Sequence, residues 1–125
     1  PGGVACFAVM SPLCLWEIGW HGLHGAWRTA FRRVRGNAQF APAPGAPPIS
    51  VRYPSPRALS AAFAPHFTSA GVQPLGLCLP TTELYAALER RPRLFSALAG
   101  LDDLLAEWRG LALFADHYWI TLRRM

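Results

Sequence analysis

The chain of 125 residues contains no lysine, because all 12 of its basic residues are arginine. Acidic residues number only 7, so the formal net charge at pH 7 is +5. Two interpretations stay open: a coding bias toward Arg, Ala, Pro and Gly, or an anion-binding surface for nucleic acid or acidic lipid. The arginines are not gathered in one block, which favours the first interpretation, and we expect no nucleic-acid partner.

Long apolar runs and paired cysteines are also missing. No run approaches the roughly 20 apolar residues of a membrane-spanning helix, and no secretory signal pattern is present. The three cysteines, Cys6, Cys14 and Cys78, are an odd number with neither Cys-x-x-Cys nor zinc-ligand spacing. We therefore expect buried thiols in a cytoplasmic protein, no metal site and no transmembrane segment.

The composition suits one folded domain. Hydrophobic residues make up 52% of the chain and charged residues 15%, which argues against disorder. At this length a single hydrophobic core can form, whereas two independent domains would each be marginal.

The first ten residues predict a strand. Gly2-Gly3 form a turn signal, and the apolar run Val4–Met10 that follows is typical of a strand buried on both faces. Such strands lie inside parallel sheets that are covered by helices, and need a neighbour on each side. Later strands are few, so we expect the C-terminal part of a larger α/β fold.

The remaining pattern alternates helices with short strands. Apolar residues at spacings of three and four predict a helix over 13–35, with an interruption near Gly19, Gly22 and Gly25. Residues 37–48 are a Pro/Ala/Gly-rich connector that we expect to be a loop. Further elements are predicted, in chain order, as a short extended segment at 49–53, a helix from Pro56, a strand over 68–80, helices over 81–110, and a last strand over 114–124.

Two details of these later elements follow from periodicity. Leu75, Leu77 and Leu79 alternate with other residues, which predicts a strand with one packed face. Within the helices of 81–110, an apolar stripe ending at Trp108 predicts the inward face, with Asp102 toward solvent and Gly110 as the stop.

Four segments in order resemble class I S-adenosylmethionine-dependent methyltransferases. PGG leading into a hydrophobic strand is similar to the turn into that family's fifth strand, and SPLCLWEIGWHGLHGAWRTAFRRVRG resembles the segment that follows it in a bacterial group of these enzymes. YPSPRALSAAFAPHF with the strand to Pro80 looks like the last helix and sixth strand. ADHYWITLRR is similar to the antiparallel seventh strand that closes the sheet.

The resemblance implies an α/β fold: strands five to seven of a Rossmann-like seven-stranded sheet. Residues 1–125 would be a partial methyltransferase domain with a helical insertion and loop at 11–48 and a second helical insertion at 81–110. The family's cofactor site, a glycine-rich loop after the first strand and an acid ending the second, matches no position here. S-adenosylmethionine would therefore bind through a missing N-terminal half, leaving this chain inactive alone.

Candidate chemistry lies after the first strand, because ligands of open α/β sheets sit beyond the carboxyl ends of the strands. Glu17 and His21 are four residues apart and share a helix face, so they are candidate catalytic residues that would orient a substrate hydroxyl or accept its proton. Ser11, Cys14 and Trp16 are candidate contacts to a small-molecule substrate. A helix ion pair beside a packed Trp is the alternative interpretation.

Other residues leave more than one interpretation. Asp116 and His117 precede the last strand and would reach either the active-site region or the opposite end of the sheet. His21 and His24 lack the partners of a metal site. Helix 13–35 is interpreted as a lid over an apolar substrate, or as plain core packing.

The alternative function is a stand-alone basic module that uses the Trp and Arg residues of 13–35 to bind acidic membrane or nucleic acid. Under the methyltransferase interpretation, the first strand instead has an unpaired apolar edge. That edge would associate with the missing half or with a second copy of the chain.

Overall fold

The computed structural model describes residues 2–36, 38–80 and 82–125. It is a mixed α/β structure with a three-stranded antiparallel sheet, a two-stranded ribbon and several helices. In chain order, the elements are β1 (Val4–Met10), α1 (Leu15–Leu23), α2 (Trp27–Ala30), β2 (Ala38–Phe40), β3 (Ile49–Val51), α3 (Pro56–Phe63), β4 (Phe67–Leu75), α4 (Thr82–Glu89), α5 (Pro92–Leu105), a 3-10 helix (Arg109–Leu113) and β5 (His117–Arg124).

The last strand of the chain lies in the middle of the main sheet. Its order is β1-β5-β4, and β5 runs antiparallel to both neighbours. It follows that β1 and β4 point in the same direction. Met10 and Leu75, which end these two strands, both pair with His117, the first residue of β5. The carboxyl ends of β1 and β4 therefore meet at one edge of the sheet.

One face of the sheet carries the core. Alternate residues of β5 point to this covered face, and Tyr118, Ile120 and Leu122 are fully buried there with Ala112 of the 3-10 helix. The partly buried residues packed against them are Phe7, Val9, Leu59, Phe63, Phe67 and Val72. Helix α3 thus covers this face, and the strand alternation decides which side chains it meets.

Helix α3 begins where the sequence predicts. The Ser55 side chain accepts a hydrogen bond from the backbone N–H of Ala58, and Pro56 occupies the first turn, where its missing N–H costs nothing. Phe63 then lies 5.3 Å from Phe7 between ring centroids. A local capping signal therefore fixes the helix that seals the core.

The opposite, open face of the sheet consists of the intervening residues. Val4, Met10, Leu75 and Trp119 are 57%, 37%, 40% and 38% exposed. Strand β1 alternates between exposed and half-buried positions, so the expectation of burial on both faces is wrong for this chain. Among the described residues, β1 has one strand partner, β5.

The strand predicted over 68–80 is five residues too long. Strand β4 ends at Leu75, where Gly76 takes a φ of +67° that L-residues rarely adopt. Leu77 and Leu79, whose alternation predicted a strand, therefore lie in a turn. Asp102, expected in solvent, accepts hydrogen bonds from the backbone N–H groups of Leu77 and Cys78 and holds that turn.

Three other boundaries differ from expectation. Part of the predicted connector, Ala38–Phe40, pairs antiparallel with Ile49–Val51 as a short ribbon. Helix α5 ends at Leu105 rather than Gly110, and Trp108 is 64% exposed rather than packed inward. Strand β5 begins at His117, not Phe114, because a 3-10 helix precedes it.

The predicted helix over 13–35 is interrupted, as its glycines indicate. Helix α1 ends at Leu23, and Gly25 adopts a φ of +71° before the short helix α2 begins. A Cβ added at Gly22 would lie 3.2 Å from the Trp27 ring. The break thus lets α2 fold back closely on α1.

Candidate functional site

Three chain segments meet where β1 and β4 end. The backbone N–H of Ser11 donates to the carbonyl of Asp116 at 3.0 Å, and the N–H of Asp116 donates to the carbonyl of Gly76 at 3.1 Å. Asp116 and His117, whose location the sequence left open, therefore lie at the same end of the sheet as Ser11. We call Ser11, Glu17, Arg33, Asp116 and His117 the strand-end site.

Glu17 is the carboxylate at the centre of this site. It is buried on α1, and its two oxygens accept hydrogen bonds from different guanidinium groups: Oε1 from Nε of Arg32, and Oε2 from Nε of Arg33 at 2.6 Å. Both partners are cations, so both hydrogen bonds are charge-assisted. Glu17 is thus well placed to hold α1 against the turn after α2 and poorly suited to remove a proton.

Arg33 links Glu17 to the sheet. Its side chain is only 5% exposed, and its NH1 and NH2 groups donate to the carbonyl and to Oδ1 of Asp116 at 3.0 and 2.8 Å. Burial alone would lower the pKa of Arg33, but the hydrogen bond to Asp116 and the charge of Glu17 outweigh burial and raise it. The guanidinium also lies over the Tyr53 ring, 5.5 Å from its centroid.

The second carboxylate oxygen of Asp116 contacts His117. Its Oδ2 lies 3.0 Å from Nδ1 of His117, while Oδ1 accepts from Arg33. The His117 side chain is 39% exposed, so it is the part of the strand-end site that solvent reaches. A continuous chain of polar contacts runs from Glu17 through Arg33 and Asp116 to His117.

Ser11 and Cys14, predicted to contact substrate, are enclosed by the fold. The Ser11 hydroxyl donates to the carbonyl of Ala112 at 2.8 Å, and Ser11 is fully buried. Cys14 is 1% exposed, and burial raises the pKa of its thiol, which keeps it protonated and unreactive near neutral pH. A substrate would reach either residue only if α1 moved away.

Trp16, the third predicted substrate contact, borders a cavity. Its Nε1 donates to the carbonyl of Leu77 at 3.0 Å. The cavity between α1, α4 and α5 has a volume of about 310 Å³, and its lining is apolar except for Arg91. The other lining residues are Pro80, Leu84, Ala87, Leu88, Leu94 and Leu98. This space is suited to an apolar group of modest size.

His21 lies in the last turn of α1, four residues after Glu17, and is half-buried. Both Glu17 oxygens are engaged by arginines, so the predicted Glu17–His21 pair is not what fixes Glu17. Nδ1 of His24 lies 2.7 Å from the carbonyl of Trp20 on its own helix. Within the described residues, no cluster of three or more His, Cys, Asp or Glu side chains is arranged to hold a metal ion.

A second cavity lies against the open face. It has a volume of about 450 Å³ between β4, β5 and the segment that enters the 3-10 helix, and it is lined by both polar and aromatic side chains. Gln73, Trp119 and Thr121 supply the sheet side, and Glu107 and Arg109 the opposite side. It differs from the cavity beside Trp16 in carrying charges of both signs.

The residue that sequence reasoning missed is Arg33. Its partners are 16 and 83 residues away along the chain, whereas helical spacing rules pair only residues three or four apart. The sequence offered one weak signal for Arg33, namely that it lies next to Val34 of the apolar stripe. An arginine buried there would need a carboxylate partner. The nearest carboxylate on the preceding helix is Glu17.

The chain matches no protein-family model and no curated protein. Across 2–36, 38–80 and 82–125, no helix combines the length and the apolar character needed to cross a membrane. The site's own geometry is therefore the basis for a functional conclusion.

Proposed function

We propose that the chain is the C-terminal, substrate-side part of a class I S-adenosylmethionine-dependent methyltransferase. The observation that carries this proposal is the direction of the strands: β1 and β4 are parallel, and the last strand, β5, runs antiparallel between them. In the terms of the resemblance, the order is strand five, strand seven, strand six. An antiparallel last strand is what the resemblance of ADHYWITLRR implies.

The described residues do not fit the methyl donor. Gly2 and Gly3 come before β1 rather than after a first strand, and Gly76 follows β4. A Cβ at Gly76 would lie at an ordinary contact distance, 3.7 Å, from the Asp116 side chain, and the φ of +67° is what favours glycine there. We therefore assign donor binding to a segment upstream of Pro1 and no step of methyl transfer to this chain alone.

The acceptor substrate, a small molecule, binds beyond the carboxyl ends of β1 and β4 in this proposal. The cavity beside Trp16 would receive its apolar part, with the α1–α2 segment as the lid. Glu17 serves by holding α1 to the sheet through Arg33. His21, in the last turn of α1, remains a proposed contact to the reacting group, as do Ser11 and Cys14 when α1 opens.

The partner in this proposal is the donor-binding half, seated along the free edge of β1. Val4, which lies at the opposite end of β1 from the strand-end site and is 57% exposed, supports a contact there. The cysteines are unpaired thiols, which supports a reducing cytoplasm.

Calorimetric titration with S-adenosylmethionine tests the proposal. We expect no measurable binding by residues 1–125, and micromolar binding by a longer chain that adds an upstream glycine-rich strand–loop–helix segment. The DNA before Pro1 provides the first check. If the upstream frame holds no such segment, or if the longer chain does not bind, the proposal fails.

The second candidate function, a module for acidic membranes, rests on one specific surface. Leu23 and Trp27 are 87% and 59% exposed, and Phe31, stacked on Trp27 with centroids 6.3 Å apart, is 38% exposed. Arg28 and Arg35 lie in the same segment and are exposed. Apolar residues flanked by arginines are suited to an anionic interface.

Sedimentation with vesicles containing phosphatidylserine distinguishes this second function. The module would bind at low ionic strength and lose affinity with added salt. It would also lose binding in Trp27→Ser, with Trp108→Ser, at an exposed residue just before the 3-10 helix, as the control. Absence of vesicle binding at low salt would remove it. Binding to RNA but not to vesicles would instead favour a nucleic-acid module.

A further inference from the structure

We propose that His117 is the proton acceptor of the strand-end site, with Asp116 and Arg33 as positioning residues. This inference deepens the proposed methyltransferase function and rests on it in one respect. The group that gives up its proton to His117 is taken to be a hydroxyl of the small-molecule acceptor. The geometry of the three side chains is independent of that function and can be tested in this chain alone.

The carboxylate of Asp116 fixes the tautomer of His117. An ionised carboxylate only accepts hydrogen bonds, and its Oδ2 lies 3.0 Å from Nδ1 of His117. A proton on Nδ1 is therefore the arrangement that avoids two facing lone pairs. In the neutral imidazole, Nε2 then holds the free lone pair. The ring nitrogen that remains unprotonated is thus the one able to accept a proton.

Asp116 is itself immobilised by a buried cation. Arg33 donates to its Oδ1 at 2.8 Å and to its backbone carbonyl at 3.0 Å, and the Arg33 side chain is only 5% exposed. Arg33 is held in turn by Glu17. Because these groups are fixed, the orientation of His117 is set before any ligand arrives, which is how a general base is preorganised.

His117 lies at the right place for a ligand. It pairs with Met10 and Leu75, the last residues of the two parallel strands, on the open face of the sheet. Ligands of open α/β sheets bind beyond these carboxyl ends. The His117 side chain is 39% exposed, whereas Glu17 is buried and Asp116 has both oxygens engaged. Of the strand-end site, His117 therefore offers the accessible base.

The proton transfer balances within the site. The substrate O–H bond breaks, its electron pair stays on oxygen, and the proton forms a bond to Nε2, giving an imidazolium. The charged groups that face this imidazolium are Asp116 on its own segment and, from the α1–α2 segment, Arg33 with Glu17 and Arg32 behind it. Asp116 stabilises the cation directly, and the proton later passes to water.

The tautomer is measured by nitrogen-15 NMR of the histidine rings in this chain, about two pH units above the ordinary imidazole pKa of about 6.5. We expect His117 to show its proton on Nδ1. In Asp116→Asn, the amide oxygen stays on Arg33 and the amide N–H donates to Nδ1, which moves the ring proton to Nε2. A neutral ring with its proton on Nε2 in the unsubstituted chain would overturn the inference.

Asp103→Asn is the matched control, because Asp103 is exposed on α5 and the substitution removes the same charge. It should leave the His117 tautomer unchanged. Loss of the Nδ1 proton in this control as well would mean that net charge, rather than the Asp116 contact, sets the tautomer, and the inference would fail. His117→Gln assigns the signals among the four histidines.

The catalytic part is tested in the longer, donor-binding chain. His117→Gln should lower kcat by roughly 100-fold or more, the ordinary contribution of a general base, and remove the acidic limb of the pH profile. His66→Gln, at an exposed histidine just before β4, is the control and should leave kcat unchanged. If the longer chain transfers methyl groups and His117→Gln leaves kcat unchanged, this inference fails while the proposed function stands. If it transfers none, the function fails, and the tautomer result still decides the geometry.

Discussion

The apolar core and the Glu17–Arg33 pair of the strand-end site are both buried, but they are held in different ways. The core is formed by neighbouring side chains on one face of β5, namely Tyr118, Ile120 and Leu122, and by α3. The strand-end site joins residues from distant parts of the chain through two carboxylates and a buried arginine. Apolar burial stabilises the first outright, whereas the ions of the second lose hydration that their pairing must offset.

The contrast between the apolar core and the ionic network indicates which part of the molecule carries the function. Well-packed apolar residues often stabilise a protein as much as a buried ionic network does. The main effect of such a network is therefore to fix the positions of the groups that it joins. Here it fixes α1 and His117 at the edge of the sheet where β1 and β4 end. The core, in contrast, determines whether the chain folds at all.

The largest effect is expected from Arg33→Ala. It leaves Glu17 and Asp116 without their buried cation, and the free energy of unfolding should fall by about 3–5 kcal/mol in urea denaturation. Arg32→Ala is the matched control, since Arg32 bonds the same Glu17 but its side chain is 49% exposed; it should cost about 0.2–1 kcal/mol. Equal losses for the two variants would erase the contrast between a buried and an exposed partner.

The core should respond next most strongly. Ile120→Ala removes a fully buried side chain and should lower the free energy of unfolding by about 2–5 kcal/mol. Trp119→Ala, one residue earlier on the open face, removes a larger side chain that is 38% exposed and should cost less. A greater loss at Trp119 would show that the open face, not the covered one, carries the core.

A smaller effect is expected at the start of α3, the helix that covers the core. Ser55→Ala removes the acceptor for the N–H of Ala58 and should cost about 1 kcal/mol by thermal unfolding. Ser60→Ala is the control, because its hydroxyl bonds only the Pro56 carbonyl within the helix. If the two serines proved equivalent, the cap would not be what defines the start of α3.

The smallest effect at neutral pH is expected from ionisable groups in the core. Burial raises the pKa of Tyr118 to about 12, above the ordinary tyrosine value of about 10. The folded state therefore keeps a proton that the unfolded state releases, and the free energy of unfolding should fall as pH rises from about 10 to about 12. In denaturation measured between about pH 10 and pH 12, Tyr118→Phe should reduce the decline in the free energy of unfolding. An equally steep decline in the variant would contradict this prediction.

Much of the fold follows from local signals. The caps at Ser55 and Pro56, the apolar run of β1 and the break near Gly25 are all short-range patterns. The last strand runs antiparallel to both of its neighbours, which is the direction that the resemblance of ADHYWITLRR implies. The strand end was mispredicted at Leu77 and Leu79, because the period-two alternation of leucines continues past Gly76 into a turn.

The strand-end site was only partly predictable. Rules on strand ends directed attention to the residues after Met10, and Ser11 does meet Asp116 there. They could not show that Arg33 would take both Glu17 and Asp116, because those contacts depend on how α2 folds back on α1. Pairing across 83 residues is a tertiary outcome that no local spacing encodes.

Hydrogen exchange at β1 is the decisive measurement, because the proposal needs a further strand along the edge of β1 that β5 leaves free. In residues 1–125, the β1 amides that do not bond to β5 should exchange rapidly. In the longer chain with its donor-binding segment, the same amides should become strongly protected. Rapid exchange that persists in the longer, folded chain would contradict the account, since β1 would then be a true edge strand.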